Sequence, residues 1–96
     1  MTAKDLQRVM LETTATRDRA EALLEGLLRA KDETERERER LNRVDHMKEL
    51  TGQSSIETAI TSTRRMIETL NRSIRDARRE LDEITASVPA GALGAD

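Results

Sequence analysis

Residues 50–57 read Leu-Thr-Gly-Gln-Ser-Ser-Ile-Glu and combine a helix stop with an immediate helix start. Gly52 can adopt the left-handed conformation of a helix C-cap, because it has no Cβ atom to clash. Ser54 and Glu57 have the spacing of a capping box, in which a hydroxyl and a carboxylate satisfy two backbone N–H groups. A connection this short makes the two helices antiparallel neighbours. The stretch therefore predicts a helical hairpin that turns at residues 52–53.

Helix-forming residues flank this turn on both sides. From Ala3 to Leu50 the chain has no proline and a single glycine, Gly26, among many Leu, Glu, Arg, Ala and Lys residues. We predict one helix over residues 3–51, leaving its continuity through Gly26 open, and a second over residues 54–88. Pro89 and the small residues after it cannot continue the helix and predict a disordered tail over residues 89–96. The domain prediction is one helical hairpin over residues 1–88.

The composition favours an all-α fold with a thin core. Of the 96 residues, 35% are hydrophobic and 38% are charged, and none is Phe, Trp or Tyr. Strands and sandwich cores use the aromatic residues that are missing here. The predicted fold class is therefore all-α, an antiparallel two-helix coiled-coil hairpin.

Heptad repeats in both helices predict how they pack. In the second helix the a positions are Ile60, Ile67, Ile74, Leu81 and Val88, and the d positions are Ile56, Thr63, Leu70, Ala77 and Ile84. In the first helix the a positions are Leu6, Thr13, Ala20, Leu27, Thr34, Leu41 and Lys48, and the d positions are Val9, Thr16, Leu23, Ala30, Glu37 and Val44. A pivot at Gly52 brings each a position opposite a d position. Ala30 would then face Ile74, and Glu37 would face Ile67.

The predicted helices leave apolar surface uncovered. Because the first helix is the longer one, about 15 N-terminal residues should extend beyond the second. Leu24 and Leu28 also make the apolar stripe wider than a two-helix seam requires. One such seam barely offsets the entropy cost of ordering the chain. We therefore predict a homo-oligomer, in the form of a four-helix bundle or a larger helical assembly, or a helical protein partner. The predicted partner-binding residues are Leu6, Val9, Met10, Leu24 and Leu28.

A second functional hypothesis comes from arginines on the second helix. Between residues 64 and 79 the only acidic residues are Glu68 and Asp76. Such a row can bind phosphates, acidic lipids or an acidic protein face. However, no aromatic residue accompanies it, and the net charge of the chain is −2, which disfavours nucleic acid as the main partner. The residues of this alternative anion-binding site are Arg64, Arg65, Arg72, Arg75, Arg78 and Arg79.

No catalytic residue, cofactor site or metal site is predicted, so the chain is expected not to be an enzyme. His46 with Asp45 and Glu49 falls short of the three or four convergent protein ligands of zinc sites. The mixed-charge run over residues 31–40 is typical of a solvated helix with its own ion pairs, such as Asp32 with Arg36.

The same composition bears on the compartment. The chain has no cysteine, and no stretch of about 18 apolar residues that would span a membrane. The N-terminal residues also lack the apolar run of a cleavable signal peptide. We expect a cytoplasmic protein with no membrane span.

Overall fold

A computed structural model shows an all-α chain in which two long helices pack against each other as a helical hairpin. Helix α1 covers Ala3–Leu41, the short helix α2 covers His46–Thr51, and helix α3 covers Ser55–Ser87. The structure describes residues 1–87, so Val88 and the predicted tail over residues 89–96 lie outside the described residues. The predicted fold class of an all-α helical hairpin is confirmed.

Helix α1 begins at a reciprocal cap. The backbone N–H of Asp5 donates to the hydroxyl oxygen of Thr2 at 3.1 Å, and the N–H of Thr2 donates to the Asp5 carboxylate at 3.4 Å. These two bonds satisfy backbone donors that have no partner inside the helix. From there α1 continues through Gly26, so the question that the sequence left open is answered.

Helix α1 ends at Leu41, so the prediction of one continuous helix over residues 3–51 is wrong. Asn42 takes the left-handed conformation, with φ of 52°. Its N–H donates to the carbonyl of Glu39 at 3.3 Å, and the N–H of Arg43 donates to the carbonyl of Arg38 at 2.8 Å. This pair of bonds is a Schellman motif, the usual helix stop, here formed by asparagine instead of glycine.

Helix α2 starts four residues after Asn42 and is capped at both ends. The Asp45 side chain accepts a hydrogen bond from the Lys48 N–H at 3.1 Å, as an N-cap does. At the other end Gly52 has φ of 81°, and its N–H donates to the carbonyl of Lys48 at 2.7 Å. The predicted left-handed cap at Gly52 is therefore confirmed, but the helix that it ends has six residues.

The predicted start of the second helix is confirmed within one residue. Ser54 is buried, and its side-chain oxygen accepts the N–H of Glu57 at 3.1 Å. The carboxylate of Glu57 accepts a hydrogen bond from Lys48 of α2 at 2.9 Å. Ser54 thus ends the connection and starts α3.

The described chain forms two compact units, and the first combines Met1–Arg17 with residues 69–87 of α3. Leu6 and Ile74 are its buried hydrophobic residues. A guanidinium nitrogen of Arg17 donates to the side-chain oxygen of Asn71 at 3.2 Å, which links α1 to α3. The start of α1 therefore pairs with the later part of α3, as antiparallel helices do.

The second unit covers Asp18–Glu68 and contains the end of α1, α2 and the first part of α3. Its buried hydrophobic residues are Ala20 and Ile60. Thr63 is also buried, and its hydroxyl donates to the carbonyl of Ala59 at 2.7 Å, so the polar group is satisfied. Small and hydroxyl-bearing side chains thus take part in a thin core.

The predicted pairing register is wrong because α1 ends about one-fifth of its expected length too early. A pivot at Gly52 would place Asn71 opposite Glu33, whereas Asn71 bonds to Arg17. The position midway along the chain between the bonded pair is Val44, next to the Asn42 cap. In α1 a second row of half-buried residues lies next to the a residues. Each of its members follows an a residue by one helical turn, and they are Met10, Arg17, Leu24 and Lys31. The predicted d residues Thr16, Leu23, Glu37 and Val44 are exposed.

We expect Gly26→Ala to stabilise the protein by about 1 kcal/mol, because glycine inside a helix costs that much relative to alanine. A Cβ atom at Gly26 would have no heavy atom within 4 Å. The matched control is Gly52→Ala, which should destabilise the fold because Gly52 has φ of 81°. Urea unfolding followed by circular dichroism measures both changes. A loss of stability for Gly26→Ala would contradict the continuous helix.

Candidate interaction surfaces

Helix α2 is held by ion pairs and caps, without burial of any of its residues. On one side a guanidinium nitrogen of Arg38 lies 3.0 Å from the carboxylate of Asp45, the α2 N-cap. On the other side Nζ of Lys48 lies 2.9 Å from the carboxylate of Glu57. Val44, Met47 and Leu50 remain exposed around α2, and Leu50 is 85% exposed. The connection is thus an ordered segment with an apolar outer surface.

The ion pair with Lys48 shifts the pKa of both partners. The hydrogen bond from Lys48 lowers the pKa of Glu57 below its ordinary value of 4.5, partly offset by desolvation and by Asp45, while Lys31 lowers it further. The same hydrogen bond raises the pKa of Lys48 above 10.5, with smaller contributions from Glu35 and Asp45. Both shifts show that the charged forms are favoured where α2 meets α3.

The predicted N-terminal overhang is absent. Leu6 is only 2% exposed and belongs to the core of the first unit, because the early end of α1 lets its N-terminal part pair with α3. Val9 and Met10 are half-buried. Met10 lines a shallow apolar groove with Gln7, Leu11 and Leu81.

The predicted leucine edge divides between two environments. Leu24 is half-buried on the core side of α1, whereas Leu28 is 40% exposed. Leu28 lines a groove between α1 and α3 that contains charged side chains as well as Ile60. The charged residues of this groove are Lys31, Glu57 and Arg64. The two leucines therefore do not form a common docking edge.

Sequence reasoning did not place Leu23 among the exposed residues. Leu23 on α1 is 53% exposed, and Met66 on α3 is 50% exposed. The heptad repeat assigns Leu23 to the intramolecular seam as a d residue, together with the other residues of its row. The row became visible only once burial showed that α1 packs through the neighbouring row.

All six arginines of the alternative anion-binding site are exposed. Arg79 forms an ion pair with Asp76 at 2.8 Å. Within residues 1–87 the other five make no ion pair, so their charges are directed to solvent. Four belong to the first unit and two, Arg64 and Arg65, to the second.

The charged run at the end of α1 behaves partly as predicted. Asp32 and Arg36 form the expected ion pair at 3.0 Å. Glu37 does not face Ile67, because its carboxylate is exposed and lies 2.6 Å from Arg40. Arg38 pairs instead with Asp45, which lies outside the run.

His46 is exposed and lies 3.6 Å from the carboxylate of Glu49. In the described part of the chain, no three His, Cys, Asp or Glu side chains are grouped so that they could hold a metal ion. Over the same residues, none of the helices combines the length and the apolar character needed to cross a bilayer.

Comparisons with protein-family models, with curated proteins and with solved structures find no match for this chain. The functional proposal therefore rests on the residues described above.

We expect the ion pair between Lys48 of α2 and Glu57 of α3 to weaken in acid. A carboxyl whose pKa is lowered by folding contributes stability that is present above its unfolded pKa and lost as the pH falls through its folded pKa. For Glu57 this contribution should be complete above pH 4.5 and disappear below it. The backbone amide chemical shifts of α2, followed by NMR from about pH 7 to pH 2, should report this titration.

Glu57→Gln should remove this transition from the α2 amides, and Glu68→Gln on the exposed side of α3 is the control that should leave it in place. An unchanged titration of α2 in Glu57→Gln would show that another group holds the helix.

Proposed function

We propose that the chain is a cytoplasmic, non-enzymatic protein–protein interaction module that acts as an oligomerising helical hairpin, in the manner of an adaptor, chaperone or assembly subunit. The observation that carries the proposal is the distribution of its large hydrophobic residues. Among the described residues, those buried are Leu6, Ala20, Ile60 and Ile74, and no large side chain is fully buried. Those left exposed are Met1, Leu11, Leu23, Leu28, Leu41, Val44, Met47, Leu50 and Met66.

This distribution supports an interaction role on energetic grounds. Burying a large aliphatic side chain contributes about 1.5–3 kcal/mol, so four buried residues, one of them alanine, provide little to offset chain entropy. Contact with another helical surface would remove further apolar area from water. Val9, Met10, Leu24 and Leu28 stay predicted contact residues, whereas Leu6 already contributes to the core.

If association supplies missing core, stability should depend on protein concentration. We expect sedimentation velocity between about 1 and 100 μM to show reversible association, with a melting temperature that rises over the same range. Because the chain lacks Trp and Tyr, interference optics would follow it in the centrifuge. A monomer that melts cooperatively at one temperature at all concentrations would contradict the proposal.

A second candidate function is binding to a polyanion, and one observation favours it. Arg72, Arg75 and Arg78 lie within two turns of α3 in the first unit, all exposed and without an ion pair among the described residues. Their spacing of three places them on one helix face. Paired arginines would be neutralised, whereas these remain available to phosphate oxygens.

Replacing these three arginines by glutamine should weaken salt-sensitive binding to duplex DNA. For a phosphate-binding site, the slope of log affinity against log salt should fall by about three. The matched control removes three charges elsewhere with Lys4→Gln, Arg29→Gln and Arg43→Gln. Fluorescence anisotropy of labelled DNA measures the affinities. Absence of binding by the unaltered protein at about 20 mM salt would rule out this function.

A further inference from the structure

Helix α2 is too short to be stable by itself. It has six residues, whereas isolated helices shorter than about 12 residues are only marginally formed in water. The long helices of the second unit have buried hydrophobic residues, Ala20 on α1 and Ile60 on α3. Helix α2 has none, and its Met47 and Leu50 are 50% and 85% exposed. Its order must therefore come from polar contacts with the rest of the unit.

Two ion pairs provide these contacts, one to each long helix. Arg38 of α1 lies 3.0 Å from Asp45, and Glu57 of α3 lies 2.9 Å from Lys48. The carboxylates are the less exposed partners, with 13% of the Asp45 side chain and 19% of the Glu57 side chain exposed. The cations are 33% and 51% exposed, so dissolved salt ions reach both pairs. Helix α2 thus joins the end of α1 to the start of α3 through charges.

Asp45 has two roles in this arrangement. Its Oδ1 atom accepts the N–H of Lys48 at 3.1 Å as the N-cap of α2, and its Oδ2 atom lies 3.0 Å from Arg38. The start of α2 and its contact with α1 therefore depend on one side chain. Asparagine at this position would keep a capping oxygen and remove the charge, which separates the two roles.

The ends of the two long helices do not depend on α2. At the end of α1 the N–H groups of Asn42 and Arg43 donate to carbonyls of α1 itself. At the start of α3 the N–H of Glu57 donates to the side-chain oxygen of Ser54. These bonds involve no residue of α2, so α2 can separate from the unit while both ends stay capped.

We propose that α2 is an ionic latch, a segment that two ion pairs hold closed and that opens while α1 and α3 stay paired. In the open form residues 42–53 are an extended connection, and the charged groups of Arg38, Asp45 and Glu57 are exposed to water. Salt, or a partner that carries charges, competes for these groups and favours the open form. The inference goes beyond the proposed function, because it does not require association.

Hydrogen exchange followed by NMR distinguishes local opening from unfolding of the whole chain. The hydrogen-bonded amides of Lys48, Glu49 and Gly52 report on α2, and those of Ile60 and Thr63 report on α3. We expect the α2 amides to be at least about 100-fold less protected, at a level that low urea concentrations leave unchanged, because local opening exposes little surface. Equal protection of the two groups, with the same urea dependence, would overturn the proposal.

Charge exchange tests the contact of α2 with α3. Lys48→Glu places two carboxylates together and should speed the exchange of the Glu49 and Gly52 amides at least about fivefold. Adding Glu57→Lys to the same chain restores opposite charges and should return the rate to within about twofold of that of the unaltered protein. If the chain with both substitutions exchanges as fast as Lys48→Glu alone, the latch is not ionic and the proposal fails.

Asp45→Asn tests the contact of α2 with α1. It should speed exchange in α2 at least about threefold, because the cap oxygen stays and the ion pair with Arg38 is lost. The matched control is Asp32→Asn, which removes an exposed ion pair of 3.0 Å with Arg36 on α1 and should leave α2 unchanged. The exchange of the α3 amides checks that each variant keeps its hairpin. If neither Asp45→Asn nor Lys48→Glu changes exchange in α2, the proposal fails and the proposed function stands.

Discussion

The left-handed backbone of Asn42 is the constraint on which the rest of this structure depends. It ends α1 after Leu41, and the Schellman hydrogen bonds fix the stop at this residue. Had α1 continued to Thr51, Leu6 would have no partner on α3. Because it stops, Leu6 is buried, and Arg17 reaches Asn71. One residue with positive φ thus decides which apolar rows are covered and which are open.

Much of the fold follows from the sequence because its signals are local. The Gly52 cap and the Ser54 cap are each properties of a few adjacent residues, and both are found in the structure. The helix end at Asn42 was missed because asparagine adopts the left-handed conformation less readily than glycine. Gly52 is therefore the stronger sequence signal for a helix end. Asp45, three residues after Asn42, is the sequence signal for the start of the next helix, because aspartate is a favoured N-cap residue.

The interaction surface was harder to predict because α1 offers two solutions to the same repeat. Leu6, Thr13, Ala20 and Leu27 are compatible with a seam completed by the row of Leu23 or by the row of Leu24. Heptad spacing is satisfied by both, and only the register of α3 selects between them. Burial shows that the row of Leu24 is used, although it includes Arg17 and Lys31. Their aliphatic stems can cover the seam while their charges stay in water.

The position of the connection also has a kinetic consequence. Contacts between the end of α1 and the start of α3 join residues that are close in sequence, because only the connection with α2 separates Leu41 from Ser55. The bond of Arg17 to Asn71, in contrast, joins residues 54 positions apart. Loop-closure entropy rises with separation, so contacts near the connection form at the lower entropic cost. Folding of the hairpin should then begin in the second unit, next to the connection, and the first unit should form after it. The residue at which α1 ends thus determines which part of the hairpin folds first.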